Sequence, residues 1–283
     1  MAVIWEATLP TLRRPILVVA FEGWFDVAKG ATGAVRFLVE RHNGYLVASI
    51  DPEPYFDFTA RRPTVRMDNG ERVIEWPGNR AMAVNLPEQT HDLVLLAGVE
   101  PHLRWRSFSA DVVEICRQFK VELVITMGSL ADSIPHSRPP AIRSSSTSAS
   151  LASRLGLERP SYEGPTGLIG VLHHELGSEG IPVISLRAAV PHYIAGTPNP
   201  KAMRAMLEHL QHVTGVATDS SGLNQRVTDW EIQVDSAVAA DDDASSYVRQ
   251  LEQQIDHRLA TDLPSGDDIA AEFERFLAEG HDD

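Results

Sequence analysis

The residues best suited to chemistry in this chain stand just after short apolar runs. Glu22 and Asp26 follow Ile16–Ala20, and Glu100, His102 and Arg104 follow Leu93–Ala97. Ser129, Asp132, His136 and Arg138 follow Val121–Thr126, while Arg187, His192 and Tyr193 follow Ile181–Leu186. Brought together, carboxylates, imidazoles and guanidiniums make a general acid–base pair or a cradle for an anion. Glu100, Asp132, His136 and His192 are the candidates for proton transfer. Glu22, Asp26, Arg104, Ser129, Arg138, Arg187 and Tyr193 are candidates for holding a ligand, joined by Glu163 at the entrance of a helix. The competing expectation is structural: Glu100 and Asp132 pair with Arg104 and Arg138, and the histidines bond backbone carbonyls in proline-bearing turns.

Other chemistries lack their motifs. There is no Gly-x-x-x-x-Gly-Lys-Ser/Thr phosphate loop, and Gly30-Ala31-Thr32-Gly33 is not the dinucleotide fingerprint. Ser129 follows a strand but lies in no Gly-x-Ser-x-Gly elbow. His173-His174-Glu175 does not match the zinc spacing His-Glu-x-x-His, so no metal is expected, and these histidines are assigned to packing or surface. Cys116 falls in an apolar helical pattern and is expected in the core. The motifs leave the identity of any cofactor open.

The elements that must position these groups follow from hydrophobic periodicity. The β-branched runs at 16–20, 93–97, 121–126 and 181–186 predict strands buried on both faces, with another strand at 45–50. The strand at 121–126 is expected to break at Gly128 into a polar loop. Apolar stripes predict helices over 27–41, from Phe108 to Phe119, over 168–176, and after Asn199 with Met203, Met206, Leu207 and Leu210 inward. Alternating strands and helices define an α/β class: a mainly parallel sheet flanked by helices over residues 1–215. Residues 51–80 interrupt it as an insertion, with a hairpin pairing 65–67 and 72–76 across Asp68-Asn69-Gly70. Residues 143–150, rich in serine, are expected as a mobile loop in preference to a segment whose hydroxyls line a pocket. Residues 217–243 look weakly periodic, and helices are expected at 247–259 and 268–277, making 216–283 an acidic helical appendage.

Composition narrows the setting. The chain has 283 residues, 43% hydrophobic and 23% charged, with a formal net charge of −14. A nucleic-acid binder needs a basic stripe to neutralise phosphates, and none is present. No apolar stretch approaches the roughly eighteen residues that begin to suggest a membrane helix. The start of the chain lacks the pattern of a signal peptide, and a single cysteine excludes an internal disulfide. A cytoplasmic protein without nucleic-acid or membrane partners is expected.

Several motifs fall in a recognisable order. They are Phe21-Glu22-Gly23-Trp24-Phe25-Asp26, Gly98-Val99-Glu100-Pro101, Met127-Gly128-Ser129-Leu130-Ala131-Asp132-Ser133-Ile134-Pro135-His136, Gly164-Pro165-Thr166-Gly167 and Ala189-Val190-Pro191-His192-Tyr193. Together they resemble the proteasome assembly chaperone 2 family, most closely its actinobacterial branch, over most of 15–215. The resemblance implies a core similar to purine nucleoside phosphorylases, a homotrimer, and an assembly, scaffold or chaperone-like role with a protein partner. Eukaryotic relatives dock through a C-terminal hydrophobic-Tyr-x tail, which Glu279-Gly280-His281-Asp282-Asp283 does not supply. The alternative is a nucleoside- or anion-binding protein, or a hydrolase or transferase, using the strand-end cluster.

Overall fold

The computed structural model describes residues 2–262. In chain order the elements are β1 (Val3–Trp5), β2 (Ile16–Glu22), α1 (Gly30–Arg41), β3 (Tyr45–Ile50), β4 (Thr64–Asp68), β5 (Glu71–Glu75), β6 (Asn79–Val84), β7 (Leu93–Val99), α2 (Trp105–Phe119), β8 (Leu123–Asp132), β9 (Ile142–Ser146), α3 (Ala149–Leu155), α4 (Leu168–Ser178), β10 (Val183–Pro191), α5 (Pro200–Thr214), α6 (Asn224–Ala239) and α7 (Asp242–Asp262). Eight strands form one sheet in the order β1-β3-β6-β7-β2-β8-β10-β9.

The centre of the sheet is parallel: β7, β2, β8 and β10 all run the same way. Its flanks are not. β6 is antiparallel to β7, β3 to β6, β1 to β3, and β9 to β10. The sheet is therefore mixed rather than mainly parallel throughout. The edge strands β1 and β9, and the interior strand β6, are short and have no long apolar run to announce them.

The central strands read as continuous apolar runs because both faces are covered. Along β2, Ile16, Val18 and Ala20 enter one core with Ala31, Val35 and Leu38 of α1 and Met206 and Leu210 of α5. Leu17, Val19 and Phe21 enter the other with Phe108, Val112 and Ile115 of α2 and Leu168 and Leu172 of α4. Cys116 lies in this second core, with burial pushing its thiol up to about 12.

Several expectations need correction. β8 does not break at Gly128; it continues to Asp132, paired with β10 as far as Pro191. A Cβ at Gly128 would strike the Phe25 ring, so glycine is present to let that ring lie on the strand. Residues 142–146 are the edge strand β9, and Ser148 caps α3 by accepting the Leu151 N–H. The serines that look like a loop are thus a half-buried sheet edge. Residues 224–239 form α6, which turns Val227, Trp230 and Val234 inward at spacings of three and four despite its polar composition. The hairpin is present, β4 pairing with β5 from Thr64↔Glu75 to Asp68↔Glu71 around Asn69-Gly70. It forms a separate two-stranded sheet. The expected helix at 268–277 lies outside the described residues.

At Gly98 the backbone of β7 meets the Gly78 carbonyl and Asn79 of β6. A Cβ at Gly98 would overlap backbone that cannot swing away, whereas one at Gly78 meets open space. Gly98→Ala is expected to lower unfolding free energy by about 1–3 kcal/mol and Gly78→Ala by less than about 0.5 kcal/mol, read from paired urea denaturation curves.

Candidate functional site

The four parallel strands end on one edge, where open α/β sheets place their ligands. The loop after β2 is the keystone of that edge. Asp26 is buried, and its carboxylate accepts the N–H groups of Ala31 at 2.8 Å and Thr32 at 3.2 Å, together with the Thr32 hydroxyl. It therefore caps α1 from four residues before the helix begins. Ser129, also buried, donates to the Val27 carbonyl at 2.7 Å, and its N–H reaches the Phe25 carbonyl at 2.9 Å. Ala28 and Lys29 adopt left-handed backbone angles between these anchors, and the Asn199 N–H holds the Ala28 carbonyl. Such strain persists only where the surroundings over-determine it. Burial raises the Asp26 carboxyl pKa, and the hydrogen bonds from Thr32 and Ala31 oppose that rise. Asp26 and Ser129 are thus occupied in holding the loop.

Beside them, Glu22 and Glu100 border a cleft of about 640 Å³ that also takes in Lys29, Arg61, His102 and Trp105. Glu22 is paired with Arg36 and with Arg61. Burial would raise its pKa, but the Arg36 hydrogen bond and the charges of Arg36, Lys29 and Arg61 carry it below the ordinary value. Glu100 is half-buried and has no cationic partner of that kind. Burial raises its pKa against the N–H groups of Trp24 and Leu168, which its carboxylate accepts. Gly23 permits the approach, since a Cβ there would press on the Glu100 carboxylate. His102 accepts the Asp57 N–H at Nδ1 and packs edge-on against Phe56.

A second group is closed off by the C-terminal helices. His136 is 3% exposed. Its Nδ1 meets the Tyr193 hydroxyl at 2.7 Å, its Nε2 meets Asp235 of α6 at 2.9 Å, and its carbonyl accepts Lys201 Nζ at 2.7 Å. Lys201, itself buried, pairs with Glu231 at 2.6 Å. Arg138 makes a two-pronged pair with Asp256 of α7, at 2.9 and 2.7 Å, and Ser137 donates to Glu252. His192 spans the Asp132 carbonyl and the Tyr247 hydroxyl. Burial pushes the Tyr193 hydroxyl up to about 12. These groups are satisfied within the chain, and the pairing of Asp132 with Arg138 does not form.

A larger groove of about 890 Å³ opens between α4 and the β9–β10 edge. Glu100 and Arg187 reach it, together with Trp24, Phe25, Tyr162 and His173. His173 Nε2 lies 2.8 Å from the Thr126 hydroxyl; burial, helped by the Arg187 charge, lowers its pKa to about 4, so it is neutral at physiological pH. Arg104 and Glu163 are exposed and line neither cavity. The twelve candidates therefore do not form one cluster; ten divide between a braced loop, a clasp made with the C-terminal helices and two open cavities, and Arg104 and Glu163 stand outside all of these. Trp24 and Tyr162 are not among the residues expected at the site, and His173, expected in packing or at the surface, lines this groove. The sequence signal for Trp24 and Tyr162 is large aromatics in glycine-bearing turns, where a core position is not available to them. Among the described residues no group of three metal-ligating side chains occurs, and no helix is long and apolar enough to cross a membrane.

Fold and edge together define a mixed-sheet α/β protein whose strand-end loops are half clasped by its own C-terminal helices. Residues 20–238 match the model of the PAC2 family. The chain is 39% identical to a PAC2 family protein from Streptomyces avermitilis, covering 83% of this chain and 99% of that one, with a TM-score of 0.77. It is 35% identical to the Mycobacterium tuberculosis proteasome-assembly chaperone homologue Rv2125, covering 82% of this chain and 99% of that one, with a TM-score of 0.74. Pyrococcus furiosus PbaB, an archaeal proteasome activator, shares the fold at 16% identity and a TM-score of 0.67, covering 83% and 97% of the two chains. A comparison with curated proteins finds no significant match. The chain belongs to the PAC2 family.

Removing the Asp26 carboxylate frees two helix-start N–H groups and strands the Thr32 hydroxyl. Asp26→Ala is expected to cost roughly 1–3 kcal/mol in chemical denaturation and to raise amide exchange across residues 23–32. For Glu22 the folded pKa lies below the unfolded one. Its contribution is complete above the unfolded glutamate value of roughly 4.3 and is lost as pH falls through the folded value. Urea midpoints followed into acid should fall less steeply in Glu22→Gln than in the parent chain.

Proposed function

We propose that this chain is an oligomeric, chaperone-like assembly protein that works by binding other protein chains. The observation that carries the reading is the β4–β5 hairpin. It stands apart from the main sheet, and one face presents Val65, Met67 and Ile74 to solvent, extended by Trp76. An exposed apolar strand face of this kind is a site for pairing or packing with another chain. The other face is tied up internally, Arg66 pairing with Asp68 and Glu75. Kinship with a proteasome-assembly chaperone homologue supports the same direction. In this reading the α/β core of residues 1–215 is phosphorylase-like, residues 216–283 are an acidic extension, and the working form is a cytoplasmic homotrimer that binds neither nucleic acid nor membrane.

A second reading has one observation in its favour. Glu100 lines both open cavities, and burial raises its pKa, the direction that suits a carboxyl to exchange protons. It would make the chain a small-molecule-binding protein, or a hydrolase or transferase with Glu100 as its base.

The first reading is tested by mixing the full chain with separately purified proteasome subunits of its own cell and following core-particle formation on native gels. Assembly is expected to become faster or more complete, and light scattering to report three times the 31.1 kDa chain mass. Met67→Glu combined with Ile74→Lys, both at exposed positions, should abolish the effect while leaving the thermal transition in place. Assembly kinetics indifferent to the parent chain would overturn the reading.

A further inference from the structure

The groove beside α4 carries an arrangement that neither the assembly reading nor the Glu100 reading uses. Its floor is the face of the sheet formed by alternate residues of three strands. β10 supplies Ser185 and Arg187 and β9 supplies Ser145 to the groove, and the register puts Thr126, Gly128 and Arg143 on the same face of the sheet, next to those lining residues. Arg187 and Arg143 are direct cross-strand partners. Their side chains therefore leave the same face of the sheet side by side. Like charges directly opposite one another destabilise a strand pair. The pairing is more notable in a chain whose net charge is −14, where carboxylates are plentiful.

Among the described residues little neutralises the two guanidiniums. Arg187 reaches Ser145 Oγ at 3.4 Å and the exposed Glu158 carboxylate at 3.8 Å. Its Nε is screened from water and has no hydrogen-bond partner among the described residues. Arg143 is exposed and makes no side-chain hydrogen bond or ion pair with any described residue. The α4 N-terminus cannot take over as the anion site in this state, because Glu100 already accepts the Leu168 N–H. His173 stays neutral and brings no cation of its own.

The walls have a different chemistry. Trp24 is 81% and Tyr162 74% exposed, although both are large aromatics lining a cavity. Phe25 lies over Gly128 and stacks with Trp24 at 6.5 Å between ring centres and 29° between planes. Aromatic faces left open near the Arg187 guanidinium, with the Glu100 carboxyl also in the lining, suit a flat ring joined to an anionic head that meets the arginine. The groove, about 890 Å³, lies within the range of small-molecule sites.

We propose that this groove binds a small aromatic anion, its carboxylate or phosphate held by Arg187 in the lining and reached by Arg143 from the neighbouring strand position, its ring covered by Trp24, Phe25 and Tyr162. The guanidiniums supply paired donors in the fork geometry that both head groups fit. The proposal deepens the second reading as far as binding a small molecule, and needs neither catalysis by Glu100 nor an assembly role.

The test is isothermal titration calorimetry of the full chain with naphthyl phosphate, naphthoate, naphthylmethanol and inorganic phosphate. Saturable binding of naphthyl phosphate or naphthoate is expected, and the tighter of the two identifies the head group. Naphthylmethanol, lacking the charge, and inorganic phosphate, lacking the ring, should each bind at least about tenfold more weakly. Arg143→Gln and Trp24→Ala alter exposed side chains, so both variants should fold, and each should weaken binding by about tenfold or more. Arg187→Met should do the same, and if it does not fold the other two variants still decide. Binding of naphthylmethanol as tight as that of the anions would overturn the proposal. So would affinity indifferent to Arg143→Gln and Trp24→Ala, or no saturable binding of either aromatic anion. Release of naphthol from naphthyl phosphate is followed in the same samples. Binding without release keeps the site and removes a phosphate-hydrolase form of the second reading.

Discussion

The buried carboxylate of Asp26 is the interaction on which the rest of the strand edge depends. One side chain serves as the start of α1, as the anchor of the loop after β2, and as the neighbour of β8 through Ser129. A buried acid is tolerable only when hydrogen bonds replace its lost water. Here two backbone N–H groups and the Thr32 hydroxyl do so, and the residual cost appears as a pKa held above the ordinary value. With the loop pinned at that point, Gly23 lies against Glu100, Phe25 covers Gly128, and Trp24 stands over the groove. Both open cavities have a wall on this loop.

The acidic balance of the chain has a local meaning at this edge. Asp235, Glu252 and Asp256 belong to the acid-rich C-terminal region, and each bonds a residue of the loop after β8: His136, Ser137 and Arg138. Glu231 does the same for Lys201 at the start of α5. A surface ion pair contributes little by itself, but a two-pronged arginine–carboxylate pair beside a satisfied histidine gives a directional dock. Charge that would suggest a solvated tail in one dimension is, in three, the counterpart of the basic groups on the strand ends.

Much of the fold was legible because the central strands are covered on both faces. Continuous runs such as Ile16–Ala20 and Leu93–Ala97 have few other uses, and the helices facing them carry clear stripes. β9 and α6 were less legible for a shared reason. Each buries only a narrow set of positions, so propensity and pattern were weak and tertiary packing decided. β9 is the clearest case, since Ser145 and Ser146 are buried as a sheet edge although serine-rich runs usually mark loops. The candidate site was legible as residue types at strand ends. How those residues would be apportioned was not, because Asp235 and Asp256 come from residues about a hundred positions away. Glu100 could not be told from Asp132 by spacing, yet one is half-buried against N–H groups and the other is exposed at the end of β8.

The division of the edge also limits what each half can do. On the side of β8 and β10 that α6 and α7 cover, His136, Arg138 and His192 have all found partners, so a ligand arriving there would have to displace hydrogen bonds and the Arg138–Asp256 ion pair made within the chain. Toward α4 the same sheet keeps two arginines side by side and two aromatic rings open. Desolvating the first set again gains nothing, whereas neutralising the second relieves a repulsion already present in the folded chain. The open half is therefore where binding can be favourable, and the closed half is where binding can be prevented from spreading along the edge.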